Sequence, residues 1–274
     1  MMAGPYFMRK LINKTFHQRF CLSRLSRYPL LGRLIEYLLF EDDDIIYLPK
    51  NGAISIPVHA TLQPREDTVM PSRVLEHFIR RARYHWIMNF CICRDSSGCK
   101  DYPVDLGCIF LGEAALGINP AFGRRATVAE TLAHAARCRE AGLVHLIGRN
   151  KLDTVWLNVG PGSKLLTVCN CCPCCCLWKI LPEINASIGS KVNRMPGVTV
   201  SVTDKCIGCG TCTRGICFVD AIRLDGKRAV IGDDCRGCGR CVAVCPQNAI
   251  QITIDRQDRI TAAIEKIEGL VHVT

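Results

Sequence analysis

Residues 206–212 read CIGCGTC and residues 235–241 read CRGCGRC, so one seven-residue motif is written twice. The first three cysteines repeat at an offset of 29 residues. The trailing ones, Cys217 and Cys245, repeat at 28. In each copy three thiols stand three residues apart and a fourth follows at a distance. Zinc also uses C-x2-C, but typically as two separated pairs. A triplet with a detached fourth thiol, twice over, fits a pair of four-iron, four-sulfur cubes. The intervening Gly208, Gly210, Gly237 and Gly239 would let backbone N–H groups approach the sulfides.

At these residues the chain resembles bacterial two-cluster ferredoxins, over about residues 198–256. The resemblance implies crossed ligation. Cys206, Cys209, Cys212 and Cys245 would hold one [4Fe-4S] cluster, and Cys235, Cys238, Cys241 and Cys217 the other. It also implies two strand-flanked halves, with Val198–Val202 and Ile250–Ile254 as outer strands and a turn at Asp225-Gly226. One departure stands out. Four residues, not three, precede Cys217, and Phe218 follows it where the pattern has proline.

Working outward, residues 169–176 read CNCCPCCC, six cysteines in eight residues. With Cys91, Cys93, Cys99 and Cys108 they make ten thiols outside the repeat. Soft sulfur ligands are crowded like this to hold metal. All ten, Cys91, Cys93, Cys99, Cys108, Cys169, Cys171, Cys172, Cys174, Cys175 and Cys176, are candidate ligands, with at least one further iron–sulfur cluster expected and zinc as the other metal. Residues two apart on a strand share a face. Strands at 84–90 and 165–168, lying side by side, would therefore converge Cys91, Cys93, Cys169 and Cys171. A helix beginning at Pro173 would place Cys172, Cys175 and Cys176 together. Cys21 and Cys138 stand alone and are expected as buried, inert thiols. The arrangement is similar to uncharacterised iron-sulfur proteins of anaerobes that fuse a cysteine-rich region to a ferredoxin domain.

The chain has 274 residues, 20 of them cysteine, and a formal charge of +10. The basic N-terminus shows no export signal, and no long uncharged apolar window marks a membrane span, so a reducing, cytoplasmic and anaerobic setting is expected, where thiols stay open to metal. Residues 1–40 carry seven Lys/Arg against Glu36. They read as basic helix packed on the body or on a partner, with a peripheral membrane helix as the alternative. Nucleic acid is not the expected partner, since no aromatic–basic interleaving accompanies the charge.

Elsewhere Lys50-Asn51-Gly52 between apolar runs predicts a hairpin of 45–48 with 54–58. Pro71-Ser72 opens a helix with Val74, Leu75, Phe78, Ile79 and Ala82 on one face. Thr127 and Glu130 form a capping box for a helix reaching Ala141, with Gly142 beyond it. His77, His85 and His134 read as ordinary helix or strand residues.

The fold class expected is α+β. Residues 1–44 form a basic helical segment and 45–197 a cysteine-rich domain. Residues 198–256 form the ferredoxin module, and 257–274 a helical tail. The function expected is one-electron relay by iron–sulfur clusters, with a redox protein as partner. Lys205, Arg214, Arg236 and Arg240 would then be solvated surface, a docking face for an acidic partner, or charges that raise the potential. Two alternatives remain: an oxidoreductase with a catalytic cluster among the ten thiols, or an electron-transfer subunit of a larger redox complex.

Overall fold

A computed structural model of the chain describes residues 5–54, 71–254 and 258–274. Three helices open it: α1 (Pro5–Thr15), α2 (Arg19–Leu25) and α3 (Pro29–Leu39). There follow β1 (Asp44–Tyr47), α4 (Ser72–Arg81), β2 (His85–Met88), α5 (Ile92–Ser96), β3 (Ile109–Leu111), β4 (Gly123–Arg125), α6 (Val128–Glu140), β5 (Val144–Arg149), α7 (Lys151–Leu157), β6 (Leu166–Cys171), α8 (Ala186–Gly189) and β7 (Val192–Arg194). The last part holds β8 (Val198–Val202), β9 (Ile222–Asp225), β10 (Arg228–Ile231), α9 (Arg240–Ala243), β11 (Ile250–Ile254) and α10 (Asp258–Glu268). The chain is thus mixed α+β.

Strands β1–β7 form one sheet in the order β4-β2-β3-β6-β5-β1-β7. All neighbours are antiparallel except β1 and β7. Antiparallel order puts the C-terminal ends of β2, β6 and β1 beside the N-terminal ends of β3 and β5. The segments that carry Cys91–Cys108 and Cys169–Cys176 therefore leave the sheet at one end. Two small sheets, β8 with β11 and β9 with β10, belong to the repeat region.

The α4 helix buries Val74, Leu75, Phe78 and Ile79 almost completely, with Ala82 just beyond its end. Burial of such apolar side chains contributes about 1.5–3 kcal/mol each for the larger ones. They share a core with Val198 and Ile252 of the repeat region and Ile260, Ala263 and Ile267 of α10. The α6 helix has the full capping box, Thr127 Oγ1 accepting from Glu130 N at 3.2 Å and Thr127 N donating to Glu130 Oε2 at 2.8 Å. Gly142 follows with φ +78°.

Three expectations are corrected. Residues 51–53 form a short 3-10 turn, and β1 takes its neighbours from β5 and β7, not from a hairpin partner. Apart from Ile54, the expected partner lies outside the described residues. The strands ending at Met88 and Cys171 are not side by side, because β3 lies between them. Cys21 is exposed, whereas Cys138 is buried as expected.

The N-terminal helices do touch the body: Arg9 pairs with Asp95 at 2.8 Å, and Arg24 with Glu183. They nevertheless leave an apolar row in solvent. Ten of the thirteen large exposed apolar side chains lie between Phe7 and Leu38, led by Leu30 at 84% and Tyr28 at 65%. The helices pack on the body in part: Phe16 is buried and Phe20, Ile35 and Leu39 lie against a core cluster, while the outer row stays in solvent. Among the described residues no helix is long and apolar enough to cross a membrane.

Candidate metal centres

In the repeat region, two cavities separate the eight cysteines. One is a hollow lined by Cys206, Cys209, Cys212 and Cys245. The other is lined by Cys217, Cys235, Cys238 and Cys241. The motifs bend around the hollows through glycines at positive φ, Gly208, Gly210, Gly237 and Gly239. At Gly237 φ is +64°, and its N–H donates to Cys235 Sγ at 3.4 Å. Further backbone N–H groups reach sulfur in both cavities, Ala229 to Cys206 and Ala249 to Cys245 in one, Ala221 to Cys217 in the other, all at 3.3–3.4 Å. Such donors favour thiolate over thiol. The sulfurs surround space instead of touching, which fits a cube with its own sulfides.

The ten remaining thiols sort into two groups. Cys108 immediately precedes β3, whose first residue Ile109 stands opposite Val168 of β6. Cys108 Sγ therefore meets Cys169 Sγ, at 3.9 Å. Cys169 and Cys171 share a face of β6, and Cys171 meets Cys176 at 3.2 Å. Cys91 caps α5 and bonds Cys93 one turn in, while the field of Cys171 reaches both. Cys91, Cys93, Cys108, Cys169, Cys171 and Cys176 thus gather at the sheet end. Of the predicted convergence of Cys91, Cys93, Cys169 and Cys171, the field of Cys171 reaching Cys91 and Cys93 is seen, and β3 carries Cys108 between the two strands.

Asn170, the one amide in the run, points to the opposite face. It accepts from His145 Nδ1 at 2.7 Å and donates to the Gly107 carbonyl at 2.7 Å, which fixes β6 where its sulfurs emerge. After β6 the chain turns through Pro173–Cys175 and forms no helix there. This sends Cys172, Cys174 and Cys175 toward Cys99 and returns only Cys176 to the six-thiol group. Of the expected group Cys172, Cys175 and Cys176, the first two stay together and Cys176 joins the other set. Cys138 packs beside Cys172 and Cys175, and burial pushes its thiol up to about 12.

Electrostatics show what the six sulfurs lack. A bond from Cys93 draws Cys91 down to about 7, and bonds from Cys169 and Cys176 hold Cys171 well below the usual thiol range. Their partners Cys93, Cys169 and Cys176 are pushed up by those same contacts and by burial. Crowded thiols cannot all ionise without cationic charge among them. Among the described residues two guanidinium groups are buried beside the sulfurs, and a half-buried third, Arg19, lies in the field of Cys93, Cys176 and Cys175. Arg94, fully buried, donates to the carbonyls of Asn170 and Leu106. Arg240 donates to the Cys171 carbonyl, and its Cζ lies 5.5 Å from the Phe218 ring centroid. Arg94 Nε, Arg240 Nε and Nη1, and the Tyr47 hydroxyl are buried without a protein partner. Burial works against the charge of Arg240, yet Cys238, Tyr47, Cys171 and Cys176 raise its pKa overall. Unspent donors beside crowded sulfur fit an anionic iron–sulfur cluster with acceptor sulfides.

Arg240 also marks where the two regions meet. Lys50 N donates to the Cys238 carbonyl at 3.2 Å, and Tyr47 stacks on Phe218 at 4.7 Å. Gly239, at φ +82°, lies so close to Ala53 that a Cβ would stand 2.6 Å from its methyl. Phe218, the residue that departs from the ferredoxin pattern, is thus the docking contact. Lys205 and Arg214 are exposed, Arg236 is half-buried and Arg240 is buried, so the four basic residues are not one surface.

Residues 200–252 match the family model of the 4Fe-4S dicluster domain. No curated protein and no solved structure matches the chain. The dicluster match spans both cavities, and with the cysteine groups it identifies an iron–sulfur-binding protein suited to electron transfer. Sequence reading missed Tyr47 and Arg94 at these centres. Arg94 directly follows Cys93, and Arg240 directly precedes Cys241. A cation beside a ligand was the available signal. His77, His85 and His134 are bound to Glu268, the Ile79 carbonyl and the Gly107 carbonyl, in keeping with ordinary structural roles.

Proposed function

We propose that the chain is a one-electron relay in which the dicluster segment exchanges electrons with a further iron–sulfur cluster at the sheet end. Cys206, Cys209, Cys212 and Cys245 hold one [4Fe-4S] cluster, and Cys217, Cys235, Cys238 and Cys241 the second. The two separate four-cysteine cavities support this crossed ligation. The third cluster takes its ligands from Cys91, Cys93, Cys108, Cys169, Cys171 and Cys176. The observation that carries the reading is the Arg240 contact: a single buried side chain bonds the backbone of Cys171 and lies in the field of Cys238. Sulfur centres therefore follow one another without an intervening layer of solvent. The bound clusters supply the redox chemistry. The protein holds them, excludes water and sets their potentials through N–H donors and the two guanidinium groups.

Replacing Cys169 and Cys171 together by serine tests the third cluster. Anaerobically reconstituted full-length variant should contain about four fewer irons and sulfides than wild type. Unchanged iron would refute it.

The partner surface is read from α1–α3. Leu30, Leu31, Leu34, Tyr37 and Leu38 are exposed on α3, and Lys10, Lys14, Arg24, Arg27 and Arg33 are exposed around the apolar row. Exposed apolar rows bordered by cations suit the interface of an anionic membrane. The reading is that the relay works docked on such a surface, by adsorption and without a span.

A further inference from the structure

Four of the crowded thiols are arranged unlike all the others. Cys99, Cys172, Cys174 and Cys175 place their Sγ atoms within 4.8 Å of one another. Cys174 stands 3.5 Å from Cys172, 3.5 Å from Cys175 and 3.6 Å from Cys99. A single ion with metal–sulfur bonds of about 2.3 Å in tetrahedral geometry sets its sulfurs about 3.8 Å apart. The observed spacings match that edge. A cube does not draw all four of its thiolates together in this way, because they cap separate corners of a body that already contains four sulfides; the six-thiol group shows only close pairs.

The same structure provides the contrast. Among the described residues no other set of three or more possible ligands is drawn within 4.8 Å. The two dicluster quartets instead line separate hollows, with no three of their sulfurs drawn that close. The surroundings of the four thiols are those of a closed site. Cys175 N donates to Cys172 Sγ at 3.3 Å, and the N–H groups of Asp101 and Tyr102 donate to Cys99. These donors hold thiolate charge in place. Leu106 and Leu143 pack against the buried pair Cys172 and Cys175.

We propose that Cys99, Cys172, Cys174 and Cys175 form a tetrathiolate site for one metal ion of the zinc class, separate from every iron–sulfur cluster. Zinc is favoured over ferrous iron by the affinity order for divalent ions at a common donor set. All four positions are filled by protein, so the ion does no chemistry on a substrate. It ties the segment after α5 to the turn after β6. Those two segments carry Cys108 and Cys176 onward into the six-thiol group. The ion would therefore fix the geometry of the neighbouring centre without carrying electrons.

The test uses the full chain, purified anaerobically with zinc and iron both supplied, and Cys99→Ser and Cys174→Ser variants. Zinc, iron and acid-labile sulfide are counted per chain. Wild type should hold about one zinc, seen by X-ray absorption with four sulfur neighbours near 2.3 Å, and each variant should lose it with sulfide unchanged. Loss of one iron without sulfide supports the same mononuclear site with iron as occupant. Loss of about four irons with about four sulfides overturns it in favour of a cube. Unchanged metal in both variants, or a zinc with nitrogen or oxygen neighbours, also overturns it. Should a variant not fold, wild type grown with cobalt in place of zinc decides. Intense thiolate-to-cobalt charge-transfer bands are expected, and their absence overturns the site. Sulfide count keeps this result apart from the third cluster, whose failure would remove sulfide and leave the lone ion.

Discussion

Replacing Arg240 by methionine should change sign with cluster occupancy. The substitution keeps most of the side chain's length and removes its charge. In wild type the residue is 5% exposed, its Nη2 bonds the Cys171 carbonyl, and its Nε and Nη1 have no protein acceptor. Without clusters this is a buried cation lacking a full complement of partners, which costs several kcal/mol. Methionine should therefore raise the thermal stability of the cluster-free protein. With clusters bound, the guanidinium faces net-negative iron–sulfur groups on both sides. A unit charge at about 7 Å in an effective dielectric of about 20 interacts by ~2.4 kcal/mol. For a one-electron couple that is about 100 mV. The variant should lower the potential of the Cys217/Cys235/Cys238/Cys241 cluster by about this amount and shift the third cluster the same way. The Cys206 cluster, lined by none of the residues Arg240 touches, should move much less. Redox titration followed by electron paramagnetic resonance reads all three. Equal shifts everywhere, or none, would refute the bridging role of Arg240.

Three further outcomes are expected. Cys217→Ser should destroy the cluster of Cys235, Cys238 and Cys241, so that the surviving cluster is lost on adding Cys206→Ser but not on adding Cys235→Ser; the reverse pattern would show uncrossed ligation. Burial lifts the Asp43 carboxyl to about 7, so its contribution is full below about pH 4 and lost as pH rises through 7. Asp43→Asn keeps the acceptor for Lys151 N, seen at 2.6 Å, and should be more stable than wild type at pH 8 by up to ~4 kcal/mol, with the gap closing toward pH 4 in urea titrations. Parallel pH slopes for the two proteins would show that Asp43 ionises freely. Leu30→Glu with Leu34→Glu should abolish sedimentation with anionic vesicles and leave iron content unchanged; wild type that ignores anionic vesicles would point to a protein partner instead.

What was legible in the sequence was local. The repeat announces its ligands because each triplet lies within one turn of chain. The α4 face and the Thr127–Glu130 box likewise involve neighbours within a few residues. The long-range pairings were not legible. The pairing of Cys99 with Cys172, Cys174 and Cys175 depends on a turn at Pro173 instead of a helix. Cys108 joins Cys169 because β3 is inserted between β2 and β6, an order that alternation along a strand cannot reveal. Arg240 read as surface charge because burial of an arginine depends on what docks over it. In the N-terminal helices spacing marked Phe16 and Phe20, which do meet protein, but it did not reveal the second, exposed row on α3.

The two dicluster cavities differ in a way that orders the relay. The Cys206 cavity opens beside exposed Cys209, with Ile207 at 61% and Leu224 at 40% exposure on its rim. The other cavity is closed in by Phe218 and Arg240, both buried against Tyr47 and the six-thiol group. A cluster near solvent can pass an electron to a mobile partner, whereas one covered by protein can pass it only inward. Burial and the Arg240 cation also act in opposite directions on the inner cluster. Low dielectric disfavours the more negative reduced state, while the guanidinium favours it. In the proposed relay the arginine would offset the cost of burying the inner cluster, which gives the position a reason to be cationic although it lies in the interior. The exposed Cys206 side would then face a mobile partner, and the Cys238 side the sulfurs at the end of the large sheet.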